Sequence, residues 1–88
     1  MSKELLTMYT TPWCGYCQRL KKQLASADVE YLEINIEEDP EAAQIVEKVN
    51  EGNQTVPTLV FSDGTAMTNP SAQTVISKLD ELMGQSGS

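Results

Sequence analysis

No histidine occurs anywhere in the 88 residues, and cysteine occurs only twice, at positions 14 and 17. The first absence removes any Cys–His nucleophile–base pair and any imidazole metal ligand. With so few thiols as well, one chain cannot complete a tetrahedral zinc site, which takes four ligands. Basic residues are also scarce, 6 against 13 acidic, for a formal net charge of −7. Nucleic acid is therefore not expected as a partner, because binding it depends on neutralising phosphates. Long apolar runs are missing too, the only early hydrophobic pair being Leu5-Leu6. Neither a secretory signal nor a membrane-spanning helix is expected, and hence no membrane partner. The two thiols are accordingly expected in a reducing cytoplasm, where permanent structural disulfides are rare.

What is present suits one small globular domain: 40% of the residues are hydrophobic, and the length allows a single core. The domain is expected over residues 1–84, followed by a flexible polar tail at 85–88, and the chain is expected to act as a monomer. "LLTMYT", residues 5–10, is a short apolar run closed by Thr-Thr-Pro and predicts a buried strand. From Cys14 onward, Cys17, Leu20, Leu24 and Ala27 recur at the three- and four-residue spacing of one helix face. "VEYLEINI", residues 29–36, sets Leu32, Ile34 and Ile36 against more polar neighbours, the period of a second strand.

Asp39-Pro40 predicts a helix start, an acidic N-cap followed by proline at the first helical position. Ala42, Ile45, Val46 and Val49 then share a face until Gly52-Asn53. "TLVF", residues 58–61, predicts a third strand, and Asp63-Gly64 a hairpin turn into a short fourth strand at 66–68. Asn69-Pro70 predicts the last helix start, with Ala72, Val75, Ile76, Leu79 and Met83 facing inward. The order β-α-β-α-β-β-α predicts an α/β fold: a four-stranded mixed sheet flanked by three helices, with the first strand central.

The cysteine pair is the chemical centre of this pattern. An inert buried pair would suit Cys17, in line with Leu20 and Leu24, but not Cys14 at the helix start. A thiol at a helix N-terminus meets unpaired backbone N–H groups, which favour thiolate, and a second thiol one turn on can attack any mixed disulfide formed on the first. A CxxC between the first strand and first helix of a βαβ pattern therefore predicts redox chemistry. Arg19, Lys21 and Lys22 form a basic cluster on the same helix, most simply a solvated face.

"TVPT", residues 55–58, either begins a strand, where proline is tolerated, or builds the site. A cis Val56–Pro57 bond would turn the Val56 backbone outward next to Cys14 and offer N–H and C=O groups to an extended thiol. Trp13 and Tyr16 flank the first cysteine. Beside an exposed helix start they cannot both be core, and Tyr16 is the better substrate contact.

Taken together, "YTTPWCGYCQRLK", "NEGNQTVPTLVFSDGT" and "TNPSA" resemble the glutaredoxin branch of the thioredoxin superfamily over about residues 5–83, and within it the mycoredoxins of actinobacteria. The resemblance implies a small cytosolic thiol–disulfide oxidoreductase of the thioredoxin fold that uses mycothiol where other cells use glutathione. It implies Cys14 as the attacking thiol, Cys17 as the second thiol, and Val56-Pro57 as the cis-proline edge of the thiol groove.

Two departures matter. Gly15 stands where the common glutaredoxin centre has proline, and Thr68, Asn69 and Ser71, around Pro70, stand where a Gly-Gly-Cys-Asp type of stretch helps hold glutathione. The second favours mycothiol. The implied activity is reduction of mycothiol mixed disulfides on client proteins, with mycothiol as co-substrate and no bound metal or organic cofactor. Two alternatives stay open: a dithiol electron donor to ribonucleotide reductase, and a non-enzymatic carrier in which Cys14 and an external thiol ligate an iron–sulfur cluster shared between two chains.

Overall fold

The computed structural model describes residues 5–86. Its elements are β1 (Leu6–Thr10), α1 (Gly15–Ser26), β2 (Leu32–Asn35), α2 (Pro40–Val49), β3 (Thr58–Phe61), β4 (Ala66–Thr68) and α3 (Ala72–Ser86). The sheet order is β2-β1-β3-β4. β1 is central, parallel to β2 with Tyr9 opposite Ile34, and antiparallel to β3 with Met8 opposite Leu59. β3 and β4 form the expected antiparallel hairpin, turned at Gly64 with φ +91, a conformation that favours glycine.

Alternation along β1 divides the core between the two faces of the sheet. Leu6 and Met8 join Leu59 and Phe61 of β3 under Leu20 and Leu24 of α1 and Val75, Leu79 and Leu82 of α3. Tyr9 points the other way, to Ile36 and to Ala42 and Val46 of α2. The central strand is thus covered on both sides, which is why it is a continuous apolar run.

The start of α2 follows its local signals. Asp39 Oδ1 accepts from the N–H groups of Glu41 (3.1 Å) and Ala42 (3.2 Å), with Pro40 at the first helical position. Replacing Asp39 by alanine should lower stability by about 1 kcal/mol, read as a lower urea midpoint at unchanged slope. An unchanged midpoint would mean that the cap contributes nothing.

Several expectations are corrected. β2 covers only Leu32–Asn35 of the predicted 29–36, and on this edge strand Leu32 is exposed. Ala27 lies beyond α1 and is exposed, while Ile45 and Val49 of α2 face solvent, leaving Ala42 and Val46 as its buried residues. Asn69-Pro70 does not open α3. Asn69 has φ +47 and its N–H donates to the Pro57 carbonyl at 2.8 Å, which ties it to the sheet.

Ser71 takes the capping position instead, its Oγ accepting from the Thr74 N–H at 3.2 Å. On α3, Met83 is 44% exposed and Leu82 fills the inward position. The helix reaches Ser86, so two residues expected in the tail are helical, and positions 87–88 lie outside the described residues. No helix among the described residues is long and apolar enough to cross a membrane.

Candidate active site

The C-terminal end of β1 delivers the chain through Thr11, Pro12 and Trp13 to the first turn of α1. Cys14 is the N-cap residue, with extended φ −84 and ψ 110. Its Sγ does what a serine or aspartate oxygen usually does there: it accepts from the Cys17 backbone N–H at 3.1 Å. That hydrogen bond strengthens as the sulfur gains negative charge, and the first turn of α1 carries no acidic residue to oppose it.

Cys14 is less open than a bare helix end implies, being only 5% exposed. The reason is the segment before β3. The Val56–Pro57 peptide is cis, and the Val56 carbonyl lies 3.6 Å from Cys14 Sγ, accepting from the thiol. Pro57 itself is buried.

Cys17 sits one turn deeper with 0% exposure, and both thiols are free. Burial first, then the hydrogen bond with Cys14, pushes the Cys17 thiol up to about 12, against smaller opposing effects of the Thr11 backbone and the Lys21 charge. The two sulfurs therefore differ in kind: one barely exposed at the helix end with a backbone N–H aimed at it, the other fully buried and held protonated.

Beside them lies a groove of about 310 Å³ between α1 and the β4–α3 connection, lined by Tyr16, Arg19, Leu20, Gln23, Asn69, Pro70 and Ser71. Tyr16, 65% exposed, Asn69 and Ser71 are brought together here. Thr68 is not: its hydroxyl donates to Asn50 Oδ1 at 2.6 Å, and Asn50 in turn donates to Thr58 Oγ1 at 3.0 Å. Trp13, 71% exposed, is likewise drawn away, its indole N–H donating to Glu37 Oε2 at 2.5 Å.

Sequence reading missed Arg19 and Gln23 as groove residues, Glu37 as the tether of Trp13, and Thr11, whose carbonyl accepts from the Cys14 N–H at 3.4 Å. Only the i, i+3, i+7 spacing of Tyr16, Arg19 and Gln23 hinted at a common helix side. Among the described residues, no group of three or more Cys, Asp or Glu side chains is placed to hold a metal ion. What the arrangement can do is exchange disulfides: a sulfur poised at a helix end, a second within one turn, and an open groove for the thiol that leaves or arrives.

Residues 6–66 match the family model named Glutaredoxin. A protein of Mycobacterium tuberculosis named as a glutaredoxin is 52% identical over 79 residues, covering 90% of this chain and 94% of that one. Mycoredoxin 1 of Corynebacterium glutamicum is 47% identical over 77 residues, covering 88% and 95%. The crystal structure of the glutaredoxin from Methanosarcina mazei, at 22% identity, shares the fold with a TM-score of 0.72 over 88% of this chain and 79% of that one. Since the family model spans the thiol pair and the first three strands alike, the chain belongs to the glutaredoxin family and is a thiol–disulfide oxidoreductase of the thioredoxin fold.

Proposed function

We propose that this protein reduces mixed disulfides between mycothiol and proteins in the cytoplasm, with Cys14 as the attacking thiol. The observation that carries this reading is the cap geometry, with Cys14 Sγ receiving the Cys17 N–H at 3.1 Å, two residues before Tyr16 of the groove lining. As a thiolate, Cys14 attacks the mycothiol sulfur. The bond between mycothiol and the protein breaks, the protein sulfur leaves and takes up a proton, and mycothiol stays on Cys14. A second mycothiol then attacks the mycothiol sulfur of that adduct, releasing mycothiol disulfide, or Cys17 attacks Cys14 and releases mycothiol.

The mycothiol assignment is supported by two features. One relative of high coverage is a mycoredoxin, and the groove offers Tyr16, Gln23, Asn69 and Ser71 as neutral polar groups with Arg19 as its cation, a lining suited to a sugar-bearing thiol. The Val56 backbone, whose carbonyl lies 3.6 Å from Cys14 Sγ, is in this reading a further contact for the thiol. In this reading residues 1–84 act as one monomeric redox domain, and no metal or organic cofactor is bound.

The test is turnover of the Cys17→Ser variant with mycothiol and with glutathione, each coupled to its own reductase. About a tenfold preference for mycothiol is expected, the effect of one good polar contact, since 1.4 kcal/mol is one decade. Equal turnover with both thiols would leave the oxidoreductase chemistry standing and remove mycothiol.

A further inference from the structure

Half of the basic residues, Arg19, Lys21 and Lys22, lie in α1, which contains no acidic residue. The rest of the chain holds all 13 acidic residues and the other 3 basic ones. On an acidic protein this helix is a local positive element. Lys21 is neutralised by Glu33, Nζ to Oε2 at 2.9 Å. Arg19 and Lys22 are exposed and have no carboxylate partner among the described residues.

A solvated helix face would account for two free cations, but not for the surface they frame. Gln18, Arg19, Lys21, Lys22, Ala25 and Tyr31 line an open groove of about 640 Å³ on the flank of α1. It begins one turn from the reacting thiol, since the Gln18 N–H donates to the Cys14 carbonyl at 3.2 Å. Arg19 also lines the groove that holds Tyr16 and Asn69, so one side chain borders both.

We propose that this basic flank of α1 docks an acidic segment of the client protein, with carboxylates two to four residues from the client's disulfide-bonded cysteine. The proposal rests on Cys14 as the thiol that attacks mixed disulfides on proteins. The spacing follows from chain geometry. At a helical rise of about 1.5 Å per residue, Arg19 and Lys22 stand about 7.5 and about 12 Å along the axis from Cys14. An extended client chain advances about 3.3 Å per residue and covers these distances in about two and about four residues. Residues two apart in an extended segment share a face, so both carboxylates can meet α1 together.

The acidic remainder of the protein repels such a segment, but salt screens that field beyond about 8–10 Å, whereas a contact pair in the groove lies inside this length. A mostly acidic surface with one basic flank beside the thiol therefore orients an acidic client.

Three peptides of one sequence, each with a single cysteine in a mixed disulfide with 2-mercaptoethanol, carry Glu, Gln or Lys at the second and fourth positions after it. Release of peptide thiol by the reduced protein is measured at low salt. Each rate is divided by that of free 2-mercaptoethanol with the same peptide, which removes the intrinsic effect of the substituents. The Glu peptide should react about tenfold faster than the Lys peptide, equivalent to about 1.4 kcal/mol, with the Gln peptide between them. Added salt should shrink the difference, because both pairs are exposed. Lys22→Glu, at an exposed position outside the thiol groove, should keep the rate with the Gln peptide and lose most of the Glu advantage.

Equal rates for the three peptides would overturn the docking surface and leave the exchange chemistry standing. A Glu advantage that survives Lys22→Glu would overturn it as well. No thiol released from any peptide would overturn instead the role of Cys14, and the proposal with it. A wild-type dimer that Lys22→Glu abolishes in sedimentation would make the occupant a second copy of this chain and overturn the client assignment.

Discussion

Cys14→Ser should lose thiol–disulfide exchange by about a thousandfold or more, because a serine hydroxyl is not ionised near neutral pH whereas cysteine has an appreciable thiolate fraction and is intrinsically far more nucleophilic. The loss should not come from unfolding. Serine is among the preferred N-cap residues, and its oxygen can take the Cys17 N–H that Cys14 Sγ accepts at 3.1 Å. Cys17→Ser should by contrast keep turnover of small-thiol mixed disulfides within about tenfold of the wild type, since a free thiol can resolve the Cys14 adduct from solution. It should lose reduction of protein disulfides that depends on a second cysteine. Steady-state rates on both substrate types, with far-ultraviolet dichroism as the folding control, decide the matter. Appreciable turnover in Cys14→Ser would reassign the nucleophile.

Cys17 should behave as a thiol that scarcely ionises in the folded protein. Its thiol is pushed from the ordinary value of 9.0 to about 12, about three decades in thiolate fraction, and it has no exposure. Iodoacetamide at pH 8 should therefore modify it about a thousandfold more slowly in the native protein than in urea, as peptide masses after quenching would show. Native and denatured rates within a factor of ten would mean that the site opens readily.

The same shift has a consequence for stability with a definite sign. Between pH 9 and 12 the unfolded chain has lost the proton that the folded chain retains, so unfolding becomes easier as pH rises. The contribution of Cys17 is fully present below pH 9 and is lost as pH rises through 12. Tyr9 and Tyr31, raised chiefly by burial, act in the same direction from about pH 10. Cys17→Ser should accordingly show a shallower alkaline decline of its urea midpoint than the wild type. An identical decline would assign the effect to the tyrosines alone.

Much of this molecule is encoded within short windows of chain. Asp39-Pro40 and Asp63-Gly64 act on backbone groups two or three residues away, so the start of α2 and the β3–β4 hairpin are local consequences of composition. The apolar runs at 6–10 and 58–61 lie at the middle of the sheet because only central strands are covered on both faces. The spacing of Cys14 and Cys17, placed after a strand and at a helix start, was enough for thiol–disulfide chemistry.

Tertiary structure decided what depended on partners far along the chain. Asn69-Pro70 carries the same kind of signal as Asp39-Pro40, yet its N–H is claimed by the Pro57 carbonyl, and the helix waits for Ser71. Cys14 is covered by Val56, 42 residues away, and Trp13 is drawn off by Glu37, 24 residues away. Ile45 and Val49 have helical spacing but no layer above them, so periodicity placed them on a face without burying them. Local signals act through a few backbone hydrogen bonds and are written in adjacent residues; burial and side-chain partnership exist only once the sheet has brought distant segments together.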